Sequence, residues 1–271
     1  MQQDAGQTTD ERFQTVDNYR SQDALAARQN IFQYKTPNHD LPGVVIANVS
    51  GRPKRVLDVG CGNGRYTVRL REAFPEAEVI GVDLALGVLE SVPEPTVVAD
   101  VADLPFEDGS ADVVLAMHML YHVPDIPAAL DELQRVLAPG GVLFVSTLAS
   151  DDKREYVPIW QEAARSALGK EVRQALSVVV ERFSLETARS MLSERFASVA
   201  LHDLPGVIDL PEPGPLLAAF RSEADFTALD PGEFEQVMGA IEQQLEAHFA
   251  EHDQLRITSH SGILECRGVR A

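Results

Sequence analysis

The chain has 271 residues, 45% of them hydrophobic and 24% charged, enough to bury a core in one large domain or a domain with a cap. Its net charge of −19 argues against duplex nucleic acid and anionic membranes as partners, because neutralising phosphates takes clustered Lys and Arg. Two cysteines, Cys61 and Cys266, give neither a metal spacing nor a disulfide framework, which suits a reducing cytoplasm. No apolar run reaches the length of a membrane span, and the opening MQQDAGQTTDERFQTVD lacks the apolar stretch of a secretory leader, so none is expected.

In chain order, residues 1–18 read as a disordered tail, and 19–50 as short helices forming an N-terminal lid, broken at Pro37 and Pro42-Gly43. A regular alternation follows. Strands are expected at Arg55–Gly60, Glu78–Asp83, Thr96–Asp100, Ala111–Met117 and Val142–Thr147. Helices are expected at Tyr66–Ala73, Leu84–Ser91 and Ile126–Leu137, the last ending at Pro139-Gly140-Gly141. Near-continuous apolar strands alternating with helices predict a doubly wound α/β fold, a mostly parallel sheet covered on both faces. After Ser150 the period turns helical, with Trp160, Ala163, Ala164, Ala167 and Leu168 on one face and Gly169 as the stop. Ser184 reads as the cap of a helix through Leu192. Ala197–His202 reads as a strand, Pro205–Pro215 as a loop and Gly232–Ala250 as an amphipathic helix. Leu255–Val269 reads as a strand or hairpin, antiparallel at the sheet edge. The remainder of the sheet thus lies in 151–271, with strands near 197–202 and 255–269 and helical substrate-cap insertions near 151–183 and 205–250. Between Asp203 and Asp253 twelve acidic residues face one basic residue, Arg221. That is either a solvated helical face or a field that draws in a cationic substrate.

The strongest chemical signal is Val56-Leu-Asp-Val-Gly-Cys-Gly-Asn-Gly64, a strand that runs through a glycine loop into a helix. Gly60, Gly62 and Gly64 let backbone approach a ligand without Cβ interference. The third glycine comes one position earlier than in the dinucleotide fingerprint, and Asp58 precedes the loop. A carboxylate there repels a pyrophosphate but suits an ammonium group or a network fixing the loop. Asp83, about 20 residues on, ends the second strand, where a carboxylate takes both ribose hydroxyls. Asp100 can accept from an exocyclic amine while the next backbone N–H donates to a ring nitrogen, with Leu84 and Val101 sandwiching an adenine. His118 and His122 follow the fourth strand. Without a third ligand their spacing does not make a metal site, and His118 is the candidate general base. Tyr19 and Tyr34 are candidates to close over the site, and Asp125 to cap the next helix.

In order, VLDVGCGNG, VIGVDL, VVADVADLPFEDGSADVVLAMHMLYHVPD and LQRVLAPGGVLFVST resemble the motifs of class I S-adenosylmethionine-dependent methyltransferases, nearest to the type 11 small-molecule branch. The resemblance covers about Arg55–Ser150 and implies a cofactor-binding core over 51–150 and a seven-stranded sheet, six strands parallel and one antiparallel. It further implies that the glycine loop, Cys61 included, holds the methionine moiety and that Ala116 and Met117 meet its amine. His122 would pack beside the cofactor, and Tyr121 and Trp160 would join the substrate mouth. S-adenosylhomocysteine would be the product. The implied activity is methyl transfer to an O, N or C atom of a small specialised metabolite, in line and with water excluded, with no metal. The remaining readings are an RNA or protein methyltransferase, against which this chain lacks an N-P-P-[YF] motif after the fourth strand, a cofactor-binding regulator without catalysis, and a nicotinamide oxidoreductase, against which stand the glycine spacing and Asp58.

Overall fold

A computed structural model describes residues 30–174, 181–224 and 227–270. The expectations for the tail, for the first part of the lid and for Tyr19 lie outside these residues. After a 3-10 turn at Ile31–Tyr34 come β1 (Lys35–Thr36), α1 (Leu41–Asn48), β2 (Arg55–Val59), α2 (Arg65–Ala73), β3 (Glu78–Asp83), α3 (Leu86–Leu89) and β4 (Thr96–Val98). Next are β5 (Ala111–Met117), a second 3-10 turn (Leu120–His122), α4 (Ile126–Val136), β6 (Leu137–Leu148), α5 (Tyr156–Leu168) and α6 (Leu185–Arg195). The chain closes with β7 (Phe196–Leu210), α7 (Gly214–Arg221), α8 (Pro231–Glu251) and β8 (Leu255–Val269). It divides into two compact units.

The larger unit comprises His39–Ser150, Arg182–Leu204 and Ser261–Ala271. Its strands lie in the order β7-β8-β6-β5-β2-β3-β4. Neighbours from β6 to β4 are parallel, and β8 runs antiparallel to β6, from Val142↔Arg267 to Leu148↔Ser261. Alternation along each strand splits the core into two layers. Leu57, Val59, Val114, Ala116, Leu143 and Val145 face α4 and α6, packing on Leu130, Leu133 and Leu192. Val56, Val113, Leu115, Met117, Val142 and Phe144 face the other way, onto Val45 of α1 and Leu70 of α2. Leu41–Asn48, read as lid, therefore packs as a layer of this unit.

The smaller unit contains the described parts of Met1–Asn38, Asp151–Glu181 and Pro205–His260. Its core gathers Tyr156 and Trp160 of α5, Leu216 and Phe220 of α7, and Phe234, Val237, Met238, Ile241 and Leu245 of α8. Gly169 ends α5 in the left-handed region, φ 66°. Glu235, Glu242, Glu246 and Glu251 of α8 are exposed, so these acidic residues form a solvated helical face.

Five expectations need correction, the seven-stranded sheet among them. Helix α4 stops at Val136, and Pro139-Gly140-Gly141 lies inside β6. The pairing jumps from Ala111↔Leu137 to Val113↔Val142, a bulge that needs glycine: φ is 83° at Gly140, and a Cβ at Gly141 would sit 2.9 Å from Asp112 O. Strand β7 continues through Pro205-Gly206 to Leu210. Beyond it β1 adds antiparallel at Val207 and Ile208, an eighth strand that the sequence did not announce. At Gly206 a Cβ would lie 3.1 Å from Thr36 O, so glycine admits the new strand. Strand β8 is one continuous strand and is not the edge, because β7 lies outside it. Strand β4 ends at Val98, leaving Asp100 in a turn bridged to Asp103.

Candidate functional site

The glycine loop joins the end of β2 to the start of α2. Gly60, Gly62 and Gly64 have φ of 69°, 54° and 75°, a region that penalises any side chain. The loop is tied to β3, where the N–H groups of Gly60 and Cys61 both donate to Val82 O at 2.7 and 3.0 Å. A Cβ at Gly60 would strike Met119 Cγ at 2.7 Å, and one at Gly64 would strike Val92 Cγ1 at 2.9 Å. At Gly62 nothing lies within 4 Å, so this glycine faces open space.

Asp83, the last residue of β3, accepts the Gly62 N–H at 2.9 Å through Oδ2 and the Ala85 N–H at 3.0 Å through Oδ1. It fixes the loop while each oxygen keeps lone-pair capacity for another donor. Asp58 is buried in β2 at 1% exposure. The Thr67 hydroxyl of α2 donates to its Oδ2 at 2.6 Å, and Oδ1 is buried without a partner. Burial, with a smaller push from Asp83, raises its carboxyl to about 6. An orphaned, desolvated carboxylate oxygen invites a cationic or N–H donor. Cys61 is buried in the loop, and burial pushes its thiol up to about 12, which removes it as a nucleophile.

Asp100 is exposed, and its Oδ1 accepts the Ala102 N–H at 2.9 Å in a local turn. Val101 is buried beside it. Leu84 is 48% exposed immediately after Asp83, an apolar side chain left in solvent next to polar strand ends.

Ala116 and Met117 end β5 and are buried. His118 follows with φ 55°, outside the usual range for a side-chain-bearing residue, and its N–H donates to Ser146 O of β6 at 3.1 Å. The turn after it carries Tyr121 and His122, stacked edge to face at 4.4 Å. Asp125 caps α4 by accepting the Ala128 N–H. Among the described residues no group of three or more His, Cys, Asp or Glu could hold a metal ion, and no helix is long and apolar enough to cross a membrane.

Tyr34 and Trp160 belong to the smaller unit. Tyr34 is half-buried against its core. Trp160 is fully enclosed, 5.9 Å from the Phe220 ring and 6.2 Å from the Phe234 ring, so it packs the core instead of lining a mouth. Two partners of the loop escaped the sequence reading, Thr67 beneath Asp58 and Met119 against Gly60. Thr67 is a lone hydroxyl on the inner face of α2, and Met119 reads as ordinary packing.

Residues 57–145 match the methyltransferase domain family. The malonyl-[acyl-carrier protein] O-methyltransferase of Legionella pneumophila is 32% identical over 123 residues, 42% of this chain and 43% of that protein. The demethylmenaquinone methyltransferase of Staphylococcus aureus is 42% identical over 98 residues, 33% of this chain and 41% of that protein. The chain thus matches less than half the length of these relatives. Among solved structures, YcgJ of Bacillus subtilis superposes with a TM-score of 0.56 at 18% identity, over 86% of this chain and all of that one. Phosphoethanolamine N-methyltransferase 2 of Haemonchus contortus, in complex with S-adenosyl-L-methionine, gives 0.55 at 14% identity, over 98% of this chain and 61% of that one. Residues 57–145 thus match the methyltransferase domain family, and the sheet order and glycine loop agree with that match.

Proposed function

We propose that the protein is an S-adenosylmethionine-dependent methyltransferase that acts on an O, N or C atom of a small molecule. The observation that carries this reading is the Asp83 carboxylate, latched to the Gly62 N–H beside a glycine loop open at Gly62. The residues fit the cofactor. Asp83 retains lone pairs for ribose hydroxyls, and Asp58 Oδ1 is a buried acceptor without a partner. Leu84 offers exposed apolar surface to a purine, and Asp100, next to the buried Val101, offers its carboxylate to an exocyclic amine.

When bound, S-adenosylmethionine supplies a methyl group already activated on a sulfonium. The work left to the chain is to align the acceptor and exclude water. The glycine loop sets backbone N–H groups where a side chain would block approach. His118, held at the end of β5 with φ 55°, is the candidate base for an acceptor that arrives protonated. The relatives named above are a malonyl-[acyl-carrier protein] O-methyltransferase and a demethylmenaquinone methyltransferase, and this range supports a small acceptor group without choosing its atom. The net charge of −19 supports an acceptor other than RNA.

Calorimetric titration with S-adenosylmethionine and S-adenosylhomocysteine tests the reading. Binding by the wild type and at least tenfold weaker binding by Asp83→Ala, with the melting transition retained, is the expected result. A folded wild type that binds neither ligand overturns it.

A further inference from the structure

The turn between β5 and α4 is short of regular structure yet carries strain and contact that the site depends on. His118 stands at φ 55°, and Met119 fills the space against Gly60 that a Cβ would need. Backbone bonds within the turn include His122 N–H to Met119 O and Val123 N–H to Leu120 O, each 3.0 Å. The His118 N–H is held by Ser146 O of β6 at 3.1 Å, so the start of the turn is tied to the sheet.

The additional constraint comes from 59 and 61 residues further along the chain. Arg182 Nε donates to Tyr121 O at 3.2 Å, and a terminal nitrogen of the same guanidinium donates to Val123 O at 2.6 Å. The fork takes two carbonyls that flank His122. Arg182 is itself anchored. The next residue, Phe183, is fully buried, and its carbonyl accepts the Thr147 hydroxyl of β6 at 2.5 Å. Ser184 then caps α6 with its side chain. The clamp is thus mounted on the end of β6 and the start of a packed helix.

Resting on the functional reading above, we propose that Arg182 is a positioning residue for methyl transfer. It holds the His118–Val123 turn so that Met119 seats the glycine loop and His118 keeps its strained conformation. A planar two-point donor is required, because a lysine ammonium reaches one carbonyl and leaves the other unpaired.

The test uses the full-length protein with Arg182→Ala and Arg182→Lys. Hydrogen exchange at the amides of His122 and Val123 should speed up at least tenfold in the alanine variant and little less in the lysine variant. Affinity for S-adenosylhomocysteine should fall about tenfold in both, with a cooperative melting transition retained. Exchange at those amides and affinity both as in wild type would overturn the proposal, as would full rescue by lysine. If the wild type binds no cofactor, the functional reading fails by itself. The exchange measurement, which needs no ligand, still decides whether Arg182 holds the turn.

Discussion

Two glycines of one loop should fail in different ways when a methyl group is added. At Gly60 and Gly62 the backbone is left-handed, φ 69° and 54°, so alanine costs roughly 1–2 kcal/mol at either position. A stiffer unfolded chain returns roughly 0.4–1 kcal/mol. Here the positions part. The methyl of Gly60→Ala would lie 2.7 Å from Met119 Cγ and 2.8 Å from its Cβ, and forcing that side chain aside adds about 1–3 kcal/mol. The methyl of Gly62→Ala meets nothing within 4 Å. Gly62→Ala should therefore lower the melting temperature by only about 2–4 °C and Gly60→Ala by two to three times as much, on the usual scaling for chains of this size. If the open space at Gly62 is where the cofactor lies, Gly62→Ala should weaken S-adenosylhomocysteine binding at least tenfold despite the smaller loss of stability. Thermal melts beside calorimetric titrations of both variants give the comparison. Wild-type affinity in Gly62→Ala would refute the placement of the ligand against this loop.

Asp58 makes stability and binding respond to pH with opposite signs. Its folded carboxyl, raised by burial to about 6 from an ordinary 3.8, holds its proton more tightly than the unfolded chain does. The protonated form's advantage is complete below about pH 4 and is lost as pH rises to about 6, a decline of roughly 3 kcal/mol. Chemical denaturation across that window should show the decline in wild type and its absence in Asp58→Asn. Affinity for the cationic cofactor should instead fall about tenfold per pH unit below about 6 and level off above it. A wild-type binding curve as flat as that of Asp58→Asn would sink the assignment. Ser184 and Thr187 form a reciprocal capping box at the start of α6, so Ser184→Ala should cost about 1 kcal/mol in a thermal melt. An unchanged melt would mean that the burial of Phe183 alone sets that helix start.

Local pattern determined the central elements. Glu78–Asp83 and Ala111–Met117 form strands with the expected bounds, because runs of branched apolar residues buried on both faces admit little else. The spacing of Phe234, Val237, Met238, Ile241 and Leu245 marked α8, since one buried stripe at helical period is a local property. Gly60, Gly62 and Gly64 announced a left-handed loop because glycine alone enters that region freely. Asp83 was legible by its place at a strand end. Its latch onto the Gly62 N–H was not, because a residue 21 positions away in sequence supplies the donor.

Tertiary structure decided what depends on distant partners. Pro205-Gly206 reads as a loop, yet β1 arrives from the far end of the chain and draws it into a strand. Pro139-Gly140-Gly141 reads as a helix stop and becomes a bulge, because β5 offers a ladder on either side of it. Trp160 is expected at the substrate mouth, and only the Phe220 and Phe234 rings around it decide for core. The fork of Arg182 onto Tyr121 O and Val123 O has no local signal at all. Helical period, strand alternation and glycine conformation belong to neighbouring residues, so the sequence states them. Strand addition, buried-carboxylate partners and long-range clamps arise where segments far apart in the chain meet, and only the folded chain brings those segments together.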